Sequence, residues 1–256
     1  MKTVVCYKWV VNDDAVSINE SGEVEIRNPQ YDVSPYDRNA IEAGVQLAEK
    51  TNGVCVALSA GDQTLAKSNK ATLSSGPSAG YVVIDPAMDQ ADCAVAANVI
   101  SAAIRKIGET DLVLCSEASS DTFAQQMAPR IAKELGWPVV TYVKSIVPEE
   151  DSVIVERELE TCVEKLEVQL PAVLSILGDS NNPRMPKLKD VMGAGKKPFT
   201  IWSCADLDDP AVDAKLSEVS VSGNSTERKN IICAESSKEE TVSRLVKYLI
   251  EEGVVS

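Results

Sequence analysis

Apolar runs alternate with helix-like stretches over the first 140 residues of the chain. Four runs have the length and composition of buried strands in a parallel sheet, at 3–11, 54–60, 80–84 and 111–115. Three stretches predict helices. The first begins after Pro35 and ends before Gly53, the second follows the turn at Gly61 and ends near Leu73, and the third covers about 90–107. This alternation predicts an α/β fold, with an open, mainly parallel sheet and helices on both faces.

The pattern changes after Pro138, where shorter strand-like segments follow one another without helices between them. These segments are 139–147, 152–158, 161–169 and 171–176. Successive strands joined by short turns predict an antiparallel extension of the same sheet. The next segment, 178–198, is long and polar, contains three prolines and predicts at most one short helix.

The last part of the chain, 199–256, has little hydrophobic pattern before an amphipathic helix predicted over about 238–252. A stretch with so little core of its own is expected to lie along a partner or along its parent domain. We therefore divide the chain into an α/β domain over 1–198 and an extended C-terminal arm over 199–256.

The charge balance limits the possible partners. Lysine and arginine number 25 against 39 aspartates and glutamates, which gives a net charge of −14. Nucleic acids and anionic membranes bind basic surfaces, so this balance argues against both. No apolar run approaches the ~20 residues that cross a bilayer, and the first residues lack the pattern of a signal peptide. We expect no membrane span and a cytoplasmic protein.

The sequence contains no histidine. This excludes Ser-His-Asp and Cys-His catalysis and every metal site that needs histidine. Seven cysteines are present without a C-x-x-C pair, and in the absence of a secretion signal they predict reduced core thiols. We predict neither a catalytic residue nor a metal site.

The segment 112–138 predicts a strand, a polar loop and an amphipathic helix. Apolar residues recur every four positions in the predicted helix, at Phe123, Met127, Ile131 and Leu135. The predicted N-cap is Ser119, Ser120 or Asp121. Free N–H groups at such a helix start form a natural seat for a phosphate, although most strand-to-helix turns bind nothing.

The predicted parallel strands would end together at one edge of the sheet, where open α/β sheets bind ligands. Neither G-x-x-x-x-G-K-[ST] nor G-x-G-x-x-G follows any of these strands. The sequence therefore allows a bound nucleotide, whereas a nucleotide-hydrolysing or ligating enzyme lacks the phosphate loop that it needs.

A series of short motifs runs through residues 1 to about 208 in a fixed order. They lie at 5–8, 34–43, 57–61, 111–138, 155–158, 170–173, 181–184 (NNPR) and 191–198 (VMGAGKKP). Together they resemble one family, the β subunit of electron transfer flavoproteins. The boxes at 34–37, 119–121 and 201–203 are most similar to the anaerobic branch linked with carnitine or nitrogen-fixation electron transfer.

This resemblance implies a Rossmann-like, adenine-nucleotide-binding α/β domain over 1–198. It implies a heterodimer with an α subunit, which holds the electron-carrying FAD between the two chains. The β subunit itself would bury an AMP or, in electron-bifurcating members, a second FAD. The residues that the resemblance assigns to cofactor binding are Cys6, Ser34, Pro35, Tyr36, Asp37, Ala60, Ser116, Ser119, Ser120, Asp121, Gln125, Gln126 and Met127.

Within that site, the resemblance places adenosine at the backbone of Cys6 and Ala60 and the phosphate at 125–127. The family often has Gln-Thr-Gly where this chain has 126–128 (QMA), so a hydroxyl that could bind phosphate is missing here. The segment 178–198 would dock a flavin dehydrogenase, for example of the acyl-CoA type. Ser180 replaces the apolar residue that anchors this docking in the family.

The resemblance therefore implies an electron-carrier subunit without side-chain catalysis, and the C-terminal arm would pack on the α subunit. The alternative is a stand-alone adenine-nucleotide-binding module similar to stress-response α/β proteins. That alternative expects tight AMP or ATP binding without a partner and gives no role to the arm.

Overall fold

A computed structural model describes residues 1–19, 21–223 and 229–255 of the chain. The chain folds as two compact units. The first consists of Met1–Ser17 and Glu25–Ser220, and the second of Ile18–Val24 and Val221–Ser256. The first unit contains all the strands of one large sheet.

The structure forms thirteen strands and six α-helices within the described residues. The strands are β1 (Lys2–Cys6), β2 (Trp9–Val11), β3 (Val16–Ile18), β4 (Val24–Ile26), β5 (Tyr31–Val33), β6 (Val54–Gly61), β7 (Ala79–Ile84), β8 (Leu112–Ser116), β9 (Val139–Pro148), β10 (Ser152–Glu158), β11 (Val163–Gln169), β12 (Ala172–Ile176) and β13 (Phe199–Trp202). The helices are α1 (Pro35–Thr51), α2 (Asn69–Ser74), α3 (Cys93–Ile107), α4 (Met127–Leu135), α5 (Leu188–Ala194) and α6 (Lys238–Glu251). None of these helices is long and apolar enough to cross a bilayer.

Nine strands form one sheet in the order β11-β10-β9-β12-β8-β1-β6-β7-β13. Pairing is parallel from β9 through to β13, and β10 and β11 extend the sheet by antiparallel pairing. The predicted fold class is therefore confirmed. Two of the four strands predicted as an antiparallel extension depart from the prediction. β12 lies between β8 and β9 and is parallel to both, and β9 is antiparallel only to β10. All five residues of β12 are buried, as a strand covered on both faces requires.

Helices cover both faces of this sheet, as predicted. Successive side chains of a strand point to opposite faces. In β1, Val5 joins the apolar cluster that contains Ile41 of α1. Its neighbour Val4 joins the cluster that contains Ile104 of α3 and Ile131 of α4. The core therefore consists of two apolar layers separated by the sheet.

Helix α1 lies very close to the central strands. It begins at Pro35, whose fixed φ suits the first turn of a helix, and ends at Asn52 in the left-handed conformation with a φ of 51°. Midway along the helix, Gly44 faces Val5 of β1 and Cys55 of β6. The missing side chain at this position allows the close approach of helix and sheet.

The predicted strand over 3–11 is wrong as a single strand. β1 ends at Cys6, and β2 then pairs antiparallel with β5 outside the large sheet. The break falls at Tyr7 and Lys8, although the apolar pattern continues on both sides of it. Because β5 leads directly into α1, this small sheet brings the start of α1 to the carboxyl end of β1.

The residues at 199–202, which the sequence assigns to the C-terminal arm, form β13 at the edge of the sheet. β13 pairs in parallel with β7, with Phe199 opposite Gly80. The first compact unit continues to Ser220. The division into domains at 198 stays a prediction, and residues 224–228 and 256 of the predicted arm lie outside the described residues.

The second unit contains α6, which confirms the helix predicted over about 238–252. The Ser237 hydroxyl caps α6 by accepting a hydrogen bond of 3.2 Å from the N–H of Glu240. None of the residues of α6 is buried. Its largely exposed apolar side chains are Val242, Leu245, Val246 and Ile250.

Candidate functional site

A cleft opens at the carboxyl edge of the sheet. From β1 the chain continues to β6 and β7 on one side and then crosses to β8 on the other side of β1. The strand order therefore reverses between β1 and β8, the position at which open α/β sheets bind ligands. The ends of three neighbouring strands line the cleft through Cys6 of β1, Ala60 of β6 and Ser116 of β8.

The cleft has a volume of about 450 Å³. This lies within the ~300–1,000 Å³ typical of small-molecule sites. Besides the strand ends, it is lined by the loop 117–126 between β8 and α4. The segment that leads into α3 contributes further residues, among them Met88, Ala91 and Cys93. The ends of three strands, the loop 117–126 and the segment that leads into α3 therefore enclose one space.

Lys8 supplies the one basic side chain among the described residues that line this cleft. Its Nζ lies 2.6 Å from Asp121 Oδ2, so the pair joins the end of β1 to the loop 117–126. The prediction omits Lys8 from the site residues. The sequence feature that could have identified Lys8 is its position directly after β1, the strand at which the order reverses.

Asp37, in the first turn of α1, is buried at the back of the cleft. Its Oδ2 accepts a hydrogen bond of 2.7 Å from the backbone N–H of Lys8, and its Oδ1 contacts the hydroxyl of Ser116. Burial raises the pKa of Asp37 from 3.8 to about 7, against the opposing effect of the Ser116 and Lys8 contacts. Asp37 therefore joins the ends of β1 and β8.

The rest of the box 34–37 supports the loop 117–126 from outside the cleft. Ser34 is buried, and its Oγ accepts a hydrogen bond of 3.1 Å from the N–H of Ser120. The ring of Tyr36 packs edge-on against Phe123, with 5.4 Å between the ring centroids. Pro35 is exposed at the start of α1. These residues position the wall of the cleft and do not line it.

The helix prediction for this region is wrong in its first turns. α4 begins at Met127, with Gln126 at the N-cap and no capping side chain. Phe123 and Gln125 have φ values of 47° and 55°, in the left-handed region that a helix excludes. Four-residue spacing could not reveal this break. The predicted caps Ser119, Ser120 and Asp121 lie in the loop instead.

The start of α4 leaves backbone donors at the cleft. The N–H groups of Met127 and Ala128 belong to the first turn and have no partner within the helix. Pro129 has no N–H, and Arg130 makes the first return bond, of 3.2 Å, to the carbonyl of Gln126. The N-terminus of α4 therefore presents two free N–H groups and the positive end of its dipole.

The side chains at this helix start are already engaged. Gln126 Oε1 accepts a hydrogen bond of 2.9 Å from Arg130 Nε. Met127 packs against the apolar cluster on the α3 side of the sheet. Backbone N–H groups are therefore what α4 offers a ligand, and the lack of a hydroxyl at position 127 does not remove them.

Nine of the thirteen residues that the resemblance assigns to the cofactor line one cleft. They are Cys6, Asp37, Ala60, Ser116, Ser119, Asp121, Gln125, Gln126 and Met127. The structure places the other four outside it, namely Ser34, Pro35, Tyr36 and Ser120. Lining residues outside the predicted set include Lys8, Gly61 and Asp62 and, where the chain leads into α3, Met88, Ala91 and Cys93. The order of the strands is needed to bring that segment to the edge beside β1 and β8.

The prediction that the cysteines are thiols buried in the core holds for only some of them. Cys55 and Cys115 are buried and confirm it, whereas Cys6 and Cys93 are partly exposed and line the cleft. Hydrogen bonding to Cys6 and burial raise the pKa of Cys115 well above its ordinary value, so this thiol is protonated at neutral pH. Within the described residues, no group of three or more potential ligands is arranged to hold a metal.

The segment 178–198 is fixed to α1 at its base. Asn39 Nδ2 donates a hydrogen bond of 2.8 Å to the carbonyl of Asn181, whose own Nδ2 donates to the carbonyl of Asn39 at 3.0 Å. Arg184 donates to Glu42 and Glu49, with Nε–Oε2 and Nη1–Oε1 distances of 2.8 and 2.7 Å. Beyond this base, apolar side chains face solvent, namely Met185, Leu188 and Met192.

Replacing Arg184 by alanine is expected to lower the free energy of unfolding by about 1–2 kcal/mol, because the nearly buried Glu42 carboxylate loses its cation. Burial would raise the pKa of Glu42, but hydrogen bonds from Arg184 and Gln46 hold it below the ordinary 4.5. A carboxylate whose pKa is lowered by folding stabilises the folded state above its unfolded pKa. This stabilisation is lost as pH falls through the lowered pKa of the folded state. Urea titration at pH 7 and pH 4 should show the difference shrink in acid. Lys189→Ala, in exposed α5, is the control and should change little.

The open, mainly parallel sheet with a cleft at its switch point places the chain among Rossmann-like α/β proteins that bind ligands at the carboxyl edge. The family model described as the electron transfer flavoprotein domain matches residues 23–207, more than half of the 256 residues. The chain belongs to the electron transfer flavoprotein family. Proteins of this family carry electrons and are not catalysts acting on a substrate of their own.

Proposed function

We propose that the chain is the β subunit of an electron transfer flavoprotein of the anaerobic, carnitine or nitrogen-fixation type. With an α subunit it forms a heterodimer that shares one FAD and carries electrons between dehydrogenases and a downstream acceptor. The observation that carries this proposal is the cleft at the reversal of strand order, in a chain whose family match spans most of the first unit.

We propose further that the cleft holds an adenine nucleotide, either AMP or a second FAD. The donors present fit a phosphate, because Lys8 and Met127 line the cleft, the first with its ammonium group and the second with a backbone N–H that has no partner within α4. Ala60 and Gly61 leave room for adenosine to approach the backbone. A flavin, when bound, supplies the electron transfer, and the residues of the chain bind and orient it.

The proposed partner surfaces lie away from the cleft lining. The segment 178–198 offers exposed Met185, Leu188 and Met192 to a flavin dehydrogenase, and the bonds to α1 hold its base in place. The unburied apolar side chains of α6 suit an apolar surface of the α subunit. The fold leaves these side chains free for a partner.

The test is to co-express the chain with the α subunit from the neighbouring reading frame and to count flavins in the purified complex. One flavin per heterodimer supports a single-FAD carrier with AMP in the cleft. Two flavins support a second FAD in the cleft and electron bifurcation. A colourless monomer without bound nucleotide would contradict the proposal. Tight AMP or ATP binding by a chain that forms no heterodimer would favour the stand-alone module.

A further inference from the structure

The hydroxyl of Ser116 lies between two oxygen acceptors at the back of the cleft. Its Oγ lies 2.7 Å from the carbonyl oxygen of Ala118 and also contacts Oδ1 of Asp37. A hydroxyl has one hydrogen and can donate to one of these two oxygens. A proton on Asp37 satisfies both contacts, because Asp37 then donates to Ser116 and Ser116 donates to Ala118. The other oxygen of Asp37 still accepts the Lys8 N–H at 2.7 Å.

The groups that face Asp37 come from the end of β1, from β8 and from the loop 117–126. Directly after β1, Tyr7 is buried, and burial raises its pKa to about 12. From β8, the Cys115 thiol has a pKa well above its ordinary value. Lys8 and Asp121 form the ion pair across the cleft, and Asp121 opposes a second negative charge at Asp37. Asp37 itself, with a pKa of about 7, changes its charge in this range.

We propose that Asp37 is a positioning residue that takes up a proton when a phosphate-bearing nucleotide enters the cleft. This inference rests on the nucleotide site proposed above. With Asp37 neutral, Ser116 holds the carbonyl of Ala118 and with it the start of the loop 117–126. With Asp37 ionised, the Ser116 hydroxyl turns to the carboxylate and Ala118 loses its donor. The same ionisation places a second negative charge behind Lys8.

The sign of the resulting pH dependence follows from linkage. A ligand that binds better to the protonated form raises the pKa of Asp37, so its affinity falls as pH rises through the pKa of the free protein. Each unit by which the ligand raises that pKa gives a tenfold fall at high pH. We therefore expect the dissociation constant to rise about tenfold between pH 6.0 and pH 8.5.

The experiment compares the full-length chain with Asp37→Asn, using AMP and FAD as probes in equilibrium dialysis from pH 6.0 to pH 8.5. Asparagine reproduces the neutral acid, because its Nδ2–H₂ donates to Ser116 while its Oδ1 accepts from Lys8. AMP itself loses a proton near pH ~6, as other phosphate monoesters do. In the pyrophosphate of FAD each phosphorus carries one ester and one anhydride bond, and its charge is constant in this range, so FAD gives the cleaner profile.

We expect the affinity of the natural chain to fall about tenfold relative to Asp37→Asn across this range. Asp121→Asn removes the carboxylate that opposes ionisation of Asp37, so it should move the fall in affinity to lower pH, whereas Asp37→Asn should abolish it. Equal slopes in the natural chain and Asp37→Asn would overturn the inference and leave the nucleotide site intact. Absence of AMP and FAD binding at every pH would overturn the proposed site and the inference with it.

A second measurement does not depend on the variant folding. The carboxyl carbon of Asp37, followed by NMR in the natural chain without nucleotide, should titrate near pH 7. Addition of FAD should move the midpoint upward by about one unit. A midpoint near 4, or one that FAD leaves unchanged, would overturn the inference.

Discussion

The Lys8→Glu substitution is expected to lower the affinity of the chain for AMP or FAD by at least about 100-fold. Lys8 is the basic side chain at the cleft, so its replacement removes a charge-assisted contact with phosphate, worth about 1.5–3 kcal/mol. The new carboxylate also adds a negative charge beside Asp121. A total near 3 kcal/mol corresponds to about two orders of magnitude in the dissociation constant.

Nucleotide content of the purified complex and equilibrium dialysis both measure this loss. Lys8→Met removes the cation without adding a negative charge and should fall between the natural chain and Lys8→Glu. Lys133→Glu reverses an exposed charge in the last turn of α4 and should leave the affinity nearly unchanged. Equal affinity in Lys8→Glu and Lys133→Glu would place the phosphate elsewhere.

Gly44→Ala is expected to lower the free energy of unfolding by about 2–3 kcal/mol. A Cβ at this position would overlap Cγ1 of Val5 and lie 3.1 Å from Sγ of Cys55. Both neighbours belong to the buried core and cannot move aside without disturbing the sheet. Overpacking of this kind typically costs about 1–3 kcal/mol, and the gain in helix propensity offsets only a part of it.

The matched control is Gly193→Ala, which also replaces a helical glycine. Nothing lies within 4 Å of a Cβ built at Gly193, so this change should stabilise the chain by about 0.4–1 kcal/mol. Chemical denaturation of both variants measures the two free energies of unfolding. If Gly44→Ala proved as stable as Gly193→Ala, the close packing of α1 on β1 would be refuted.

Strand and helix positions in the first unit could be predicted because burial imposes a period on the sequence. The apolar run at 112–115 is continuous, and it forms a central strand covered on both faces. The same reasoning failed at Tyr7 and Lys8, where apolar residues continue while the chain leaves one sheet for another. A run of apolar residues predicts that they are buried, but it does not predict which of two sheets they belong to.

The candidate site was less predictable than the fold, because it is built from contacts distant in sequence. Four-residue spacing extended α4 through Phe123 and Gln125, yet both adopt left-handed backbone conformations that only the folded loop reveals. Asp37 could be singled out only by its resemblance to a family motif. Its contact with the hydroxyl of Ser116 joins residues that are 79 positions apart in the chain.

One helix connects two regions of the first unit. The first turn of α1 carries Asp37, which closes the cleft, and later turns carry Asn39, Glu42 and Glu49, which hold the base of the segment 178–198. A helix of 17 residues behaves as a rigid rod of about 25 Å. Substitutions in α1 must therefore preserve both the cleft and the base of the segment 178–198. A shift of α1 that suits a new docking partner would also displace the carboxyl group of Asp37.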